Sequence, residues 1–199
     1  MSSSVRASRN GQVLILTLEN PDGYPRLERA AIELLLGKMR EAQFEPSICG
    51  CVITGTDRAF AAGAEIDELA RLTAVAAHDF SRMGQRLMST VGQSEKPVVA
   101  AIRGYCFGGG LDLALACRAR VASENATFAH PGGAIGIITG WGGTQRLTRL
   151  IGRSRAMDML STGRAVSARE ALDLGLVNRV VAEDEVVTYS IELASRCKR

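Results

Sequence analysis

Two stretches of this chain offer bare backbone where a reacting oxygen could be held. Ala59-Phe60-Ala61-Ala62-Gly63-Ala64-Glu65-Ile66 gathers tiny residues around one glycine just after an apolar run, and Gly104-Tyr105-Cys106-Phe107-Gly108-Gly109-Gly110-Leu111-Asp112 sets three consecutive glycines at the start of a helical stretch. Without side chains to shield them, N–H groups at such positions approach a ligand oxygen closely. Two such donors converging on one carbonyl make an oxyanion hole. The glycine run has a plainer reading beside this one, as a tight strand-to-helix junction.

Other side chains able to do chemistry are few. His130 suits an acid or base near neutral pH, or a structural histidine at a strand end. His78, amid Ala76, Ala77, Asp79 and Phe80 on a predicted helix, reads as a surface residue. Glu65, Asp67 and Glu68 follow the first loop at a helix start, where carboxylates favour the dipole, and Glu68 is in addition an outside candidate for a base. The five cysteines, Cys49, Cys51, Cys106, Cys117 and Cys197, form neither a zinc-like set nor an even disulfide framework. They read as reduced, mostly buried thiols, and no metal site is expected.

The elements that position these residues follow from periodicity. Gln12 to Leu18, Ile48 to Thr54 and Val98 to Ile102 are β-rich runs, with Ala119 to Ala122 and Asn178 to Val181 as shorter ones. Leu27, Ala30, Ala31, Leu34, Leu35 and Met39 share one helical face. Ser167-Ala168-Arg169-Glu170 is a capping box opening a helix to Leu174, which Gly175 ends. The order indicates an α/β fold, and 199 residues with 46% hydrophobic content suit one domain over 1–199. The net charge of +3 is scattered, which argues against a nucleic-acid partner and suits a small anionic ligand. Met1-Ser2-Ser3-Ser4-Val5-Arg6 lacks the apolar core of a signal peptide, and no apolar run approaches a membrane span, so a cytoplasmic location is expected.

Four ordered stretches, Phe60 to Glu65, Pro97 to Cys117, Gly136 to Leu147 and Thr162 to Val180, resemble motifs of the enoyl-CoA hydratase/isomerase (crotonase) superfamily over nearly the whole chain. The resemblance implies a crotonase-like spiral of ββα units, with a core over about 10–182, a helix over about 183–197 and a shortened C-terminal helical region. It implies an acyl-CoA thioester as substrate, with coenzyme A as part of that substrate and no tightly bound cofactor, and a homotrimer or hexamer. Carried over by motif, the backbone N–H groups of Ala64 and Gly109 would hold the thioester oxygen as it gains enolate charge. Ala62 would offer backbone contact to the adenine of coenzyme A, and Arg58 would meet its phosphate; an isolated arginine is otherwise a solvated loop residue.

The chain also departs from its relatives. Where hydratases of the superfamily use two glutamates, it has Asp112, shorter by roughly 1.5 Å, and Gly132. Asp112 is then the surviving acid/base, and its place in the first helical turn also suits the dipole. Thr139 and Trp141 stand where relatives usually have proline and a small residue. Trp141 would shorten the acyl pocket or stack on a flat acyl group, or be an ordinary buried aromatic. With His130 and Gly132 it completes the expected substrate pocket. The implied activity is that of an enoyl-CoA hydratase/isomerase. The alternatives are another enolate reaction, such as acyl-CoA decarboxylation or thioester hydrolysis, and acyl-CoA binding without catalysis.

Overall fold

The computed structural model describes residues 2–196, so Cys197, the last residue of the expected C-terminal helix, lies outside the described residues. The chain opens with a hairpin, β1 (Ser4–Asn10) and β2 (Val13–Glu19), followed by α1 (Arg29–Phe44). Three strand–strand–helix turns come next. The first is β3 (Gly50–Thr54), β4 (Ala59–Ala61), α2 (Ile66–Ala70) and α3 (Ala74–Gly92); the second is β5 (Val98–Ile102), β6 (Tyr105–Phe107) and α4 (Gly109–Ala116). The third is β7 (Ala119–Ser123), β8 (Thr127–Ala129), a 3-10 turn (Pro131–Ile135), α5 (Gly143–Ile151) and α6 (Arg153–Thr162). The remainder is β9 (Val166–Ser167), α7 (Ala168–Asp173), β10 (Arg179–Val181) and α8 (Val186–Arg196).

Each turn adds one strand to each of two sheets. The larger is six-stranded in the order β1-β2-β3-β5-β7-β10, and the smaller runs β4-β6-β8-β9. Strands of successive turns pair in parallel, with β1 and β9 as antiparallel edges. This is the expected spiral of ββα units in an α/β fold.

Parallel strands covered on both faces are apolar along their whole length, and every residue of β3 and β5 is buried. Alternation splits them between two cores. Leu16, Cys51, Ile53, Ala100 and Ile102 face the main core beneath α1, α3 and α4. Val13, Val52, Val99, Ala101 and Val121 face Val186 and Ala194 of α8. A Cβ on Gly50 would lie 2.6 Å from the Ala194 carbonyl oxygen, so α8 is seated where β3 begins.

Several sequence expectations shift by a residue or more. α1 starts at Arg29 and buries Ala31, Ile32, Leu35, Met39 and Ala42, while Ala30 and Leu34 face outward and buried Leu27 precedes the helix. The helix carries apolar residues on two overlapping stripes, and packing selected the one containing Ile32. At α7 the Ser167 hydroxyl accepts from the Glu170 N–H at 3.2 Å, but the Glu170 carboxylate binds Arg164 rather than closing the box. Gly175 ends that region with φ +74. Among the described residues no helix is long and apolar enough to cross a membrane.

Candidate active site

β4 delivers the first small-residue loop. The Ala62 N–H donates to the Pro25 carbonyl and the Gly63 carbonyl accepts from Leu27, each at 2.8 Å, so the segment ahead of α1 straps the loop down. Gly63 has φ +107, and a Cβ there would sit 3.2 Å from the Phe107 carbonyl oxygen and 3.5 Å from the Gly109 nitrogen. Only a glycine lets the two loops lie this close in that conformation. β6 delivers the second loop, turning at Gly108 (φ +51) into α4, which begins at Gly109. As the first helical residue, Gly109 has no intrahelical acceptor for its N–H. Among the described residues neither the Ala64 nor the Gly109 amide donates a hydrogen bond. Both residues line one cavity of about 610 Å³.

The cavity is largely apolar. Ile66, Leu69 and Leu72 line one side, and Ile135, Ile137 and Ile138 another. Trp141 lines it too, yet is only 7% exposed. A Cβ at Gly84 of α3 or at Gly109 of α4 would overlap its ring, and Phe80 meets it edge-on at 5.4 Å between centroids. The indole is therefore a wedge between α3 and α4, a buried aromatic that also forms part of the cavity wall.

Asp112, 1% exposed, stands in the first turn of α4 and lines the same cavity. Its Oδ2 accepts from the Thr139 hydroxyl, which ties the loop ahead of α5 to α4. Its Oδ1 faces His130 Nε2 at 3.5 Å, and neither atom has a hydrogen-bond partner. His130 is 4% exposed and lies between β8 and the 3-10 turn. Gly143 borders the pair; a Cβ there would overlap Oδ1 and come within 3.0 Å of Nε2. Burial pushes the Asp112 carboxyl up to about 6, against the lowering effects of the Thr139 hydroxyl, the Arg146 guanidinium and the Trp141 backbone. Burial pushes His130 down to about 4.

The remaining candidates fall into place differently. Gly132 lines the cavity, but a Cβ there would lie 2.5 Å from the Ile137 carbonyl oxygen, and the Ile137 N–H donates to Gly132 at 2.9 Å. The tight turn thus occupies the space a side chain would need. The Ala62 N–H is spent on Pro25. Arg58 is exposed outside the cavity, stacked 4.4 Å from the Tyr24 ring centroid and donating to the Tyr24 hydroxyl at 2.6 Å. Glu68 does not line the cavity, and Glu65 pairs with Arg26 at 3.1 Å instead of capping α2. His78 is on the surface, as expected. Cys106 is fully buried, and desolvation holds its thiol well above the ordinary range, so it is no nucleophile.

Sequence reasoning missed the partners: Thr139 as a donor to Asp112, Gly84 as the seat of Trp141, and the contact of Asp112 with His130. The one local signal was Gly84 itself, a lone glycine inside an amphipathic helix, which marks close approach of a neighbour.

A family model described as Enoyl-CoA hydratase/isomerase matches residues 8–199. The 2,3-dehydroadipyl-CoA hydratase of Escherichia coli (strain K12) is 39% identical over 197 residues, 99% of this chain and 76% of its own. The short-chain-enoyl-CoA hydratase of Clostridium acetobutylicum is 32% identical over 195 residues, 98% of this chain and 75% of its own. The crystal structure of enoyl-CoA hydratase from Bacillus anthracis superposes with a TM-score of 0.91 at 35% identity, covering 98% of this chain and 76% of that one.

Proposed function

The chain belongs to the enoyl-CoA hydratase/isomerase family, and from that premise we propose that it binds an acyl-CoA thioester and stabilises its enolate between the Ala64 and Gly109 amides. The observation that carries this reading is the pair of undonated backbone amides on touching loops, lining one apolar cavity. Charge developing on the thioester oxygen would be met by both N–H groups, and α4 adds the positive end of its dipole at Gly109. Asp112 is the acid/base group at this site, since it is the carboxylate that lines the cavity among the described residues. The apolar walls suit an acyl chain.

A turnover screen over a panel of acyl-CoAs, read by mass spectrometry, tests the proposal because hydration, isomerisation, decarboxylation and hydrolysis give different products. The expected result is hydration or isomerisation of an enoyl-CoA such as crotonyl-CoA. The absence of both binding and turnover across the panel would overturn it. The closed space at Gly132 favours one second reading, an acyl-CoA-binding protein without turnover, which predicts saturable binding of panel members and no product.

The same reading includes assembly into a homotrimer or a dimer of trimers. Ile66, Ile135, Ile137 and Ile138 are exposed around the cavity mouth and would be covered by neighbours. Sedimentation at micromolar concentration checks this, and a species of single-chain mass would refute it.

A further inference from the structure

Apart from the two backbone amides, the cavity offers little that can move a proton. Among the described residues its ionisable lining groups are Asp112 and His130, from different turns of the spiral. Oδ2 of Asp112 is held by Thr139, so the atom free to exchange a proton is Oδ1, and what Oδ1 faces is His130 Nε2 at 3.5 Å. Both atoms are buried without a hydrogen-bond partner. An orphaned polar atom of this kind is costly to bury, and a facing pair of them at the wall of a binding cavity calls for a role.

We propose that Asp112 and His130 act as one acid–base pair, sharing a single proton, and that His130 supplies the second proton-transfer group that the glycine at 132 cannot. The proposal rests on the acyl-CoA reading above. In addition of water to a conjugated enoyl thioester, the water oxygen bonds to the β carbon while the double-bond electron pair moves toward the thioester oxygen, facing Ala64 and Gly109. One water proton passes to the pair. The pair returns a proton to the α carbon as the thioester carbonyl re-forms. Atoms balance as substrate plus water, and no electrons are gained or lost.

Few other charged or titratable groups face the pair. Arg146 of α5 approaches Asp112, and the neutral Cys106 thiol of β6 is the other titratable group coupled to it. The buried face of α3 is apolar, β4 is Ala59–Ala61, and α6 and α7 bury only Ala156, Met159, Ala168 and Ala171. With the carboxyl near 6 and the imidazole below it, the pair at neutral pH is ready to accept from water the one proton that it then shares until the α carbon takes it.

The test uses His130→Gln, Asp112→Asn and the double variant with crotonyl-CoA, each checked by thermal melting and by coenzyme A affinity. Each single change should lower kcat by about 10²-fold or more with affinity retained, and the double should cost no more than the worse single. The acidic limb of the wild-type profile, near pH 6, should shift in Asp112→Asn. A folded His130→Gln variant with wild-type kcat, or singles whose losses multiply, would overturn the pairing. If the wild type turns over no crotonyl-CoA, the functional reading is what suffers. Sharing is then decided by the imidazole nitrogen shifts of His130, with exposed His78 as internal reference. His130 should respond to the Asp112 titration in the wild type and lose that response in Asp112→Asn; a profile indifferent to the substitution refutes the proposal.

Discussion

Replacing Asp112 by Asn keeps an acceptor for the Thr139 hydroxyl and removes a charge that burial disfavours. The carboxyl sits at about 6 against an ordinary 3.8, a shift worth about 3 kcal/mol at about 1.4 kcal/mol per unit. Because the folded-state value is the higher one, the folded protein binds the extra proton. The stabilisation from protonated Asp112 is therefore complete below 3.8 and lost as pH rises through about 6. The Asn variant escapes that loss, so its advantage should be small near pH 4 and grow to about 3 kcal/mol by about pH 7.5. The α4 dipole pulls the other way, since deleting a first-turn carboxylate forfeits about 0.3–1 kcal/mol. Burial wins. His130 carries the opposite dependence, losing stability as pH falls from 6.5 toward 4, and at about pH 7.5 it is neutral folded and unfolded, so the gain at that pH reports Asp112. Urea denaturation of both proteins at the two pH values, followed by the fluorescence of Trp141, the only tryptophan, measures the difference. At neutral pH the melting temperature should rise by roughly 6–12 °C for a chain of this size, while turnover falls by about 10²-fold. An Asn variant that is no more stable at neutral pH than at acid pH, relative to wild type, would refute the burial argument.

Three further substitutions probe the packing around the site. Gly132→Glu should destabilise by about 1–3 kcal/mol and bring no gain in turnover, because its Cβ meets the Ile137 carbonyl at 2.5 Å; a faster enzyme would show that the turn yields. Gly84→Ala drives a methyl into the Trp141 ring and should cost about 1–3 kcal/mol, with part recovered on adding Trp141→Phe; strictly additive losses in denaturation would contradict the wedge. Ser167→Ala should cost about 1 kcal/mol through the lost acceptor for the Glu170 N–H, and an unchanged unfolding midpoint would mean that this amide is satisfied elsewhere.

Much of the fold was legible in local pattern. Val98 to Ile102 and Ile48 to Thr54 read as strands from their β-rich apolar runs, which covering on both faces demands, and Ser167 with Gly175 marked the limits of α7 through cap chemistry that depends on neighbours in sequence. The two bare-backbone loops were legible for the same reason, since a positive φ at Gly63 or a side-chain-free helix start at Gly109 is written into residue type. The smaller sheet was not, because β4, β6 and β8 span three residues each, too few for a period to register. The choice of buried stripe on α1 also waited on the sheet it packs against. What the tertiary structure alone decided lies at contacts between turns of the spiral. Asp112 and His130 are 18 residues apart on separate elements, Trp141 finds its place only when α3 and α4 present Gly84 and Gly109 to it, and the space beside Gly132 closes only when Ile137 folds back over it. Residue type sets which backbone can be bare; which side chains then face each other, and which of them keep a proton, depends on distances and burial that exist only once the turns are stacked.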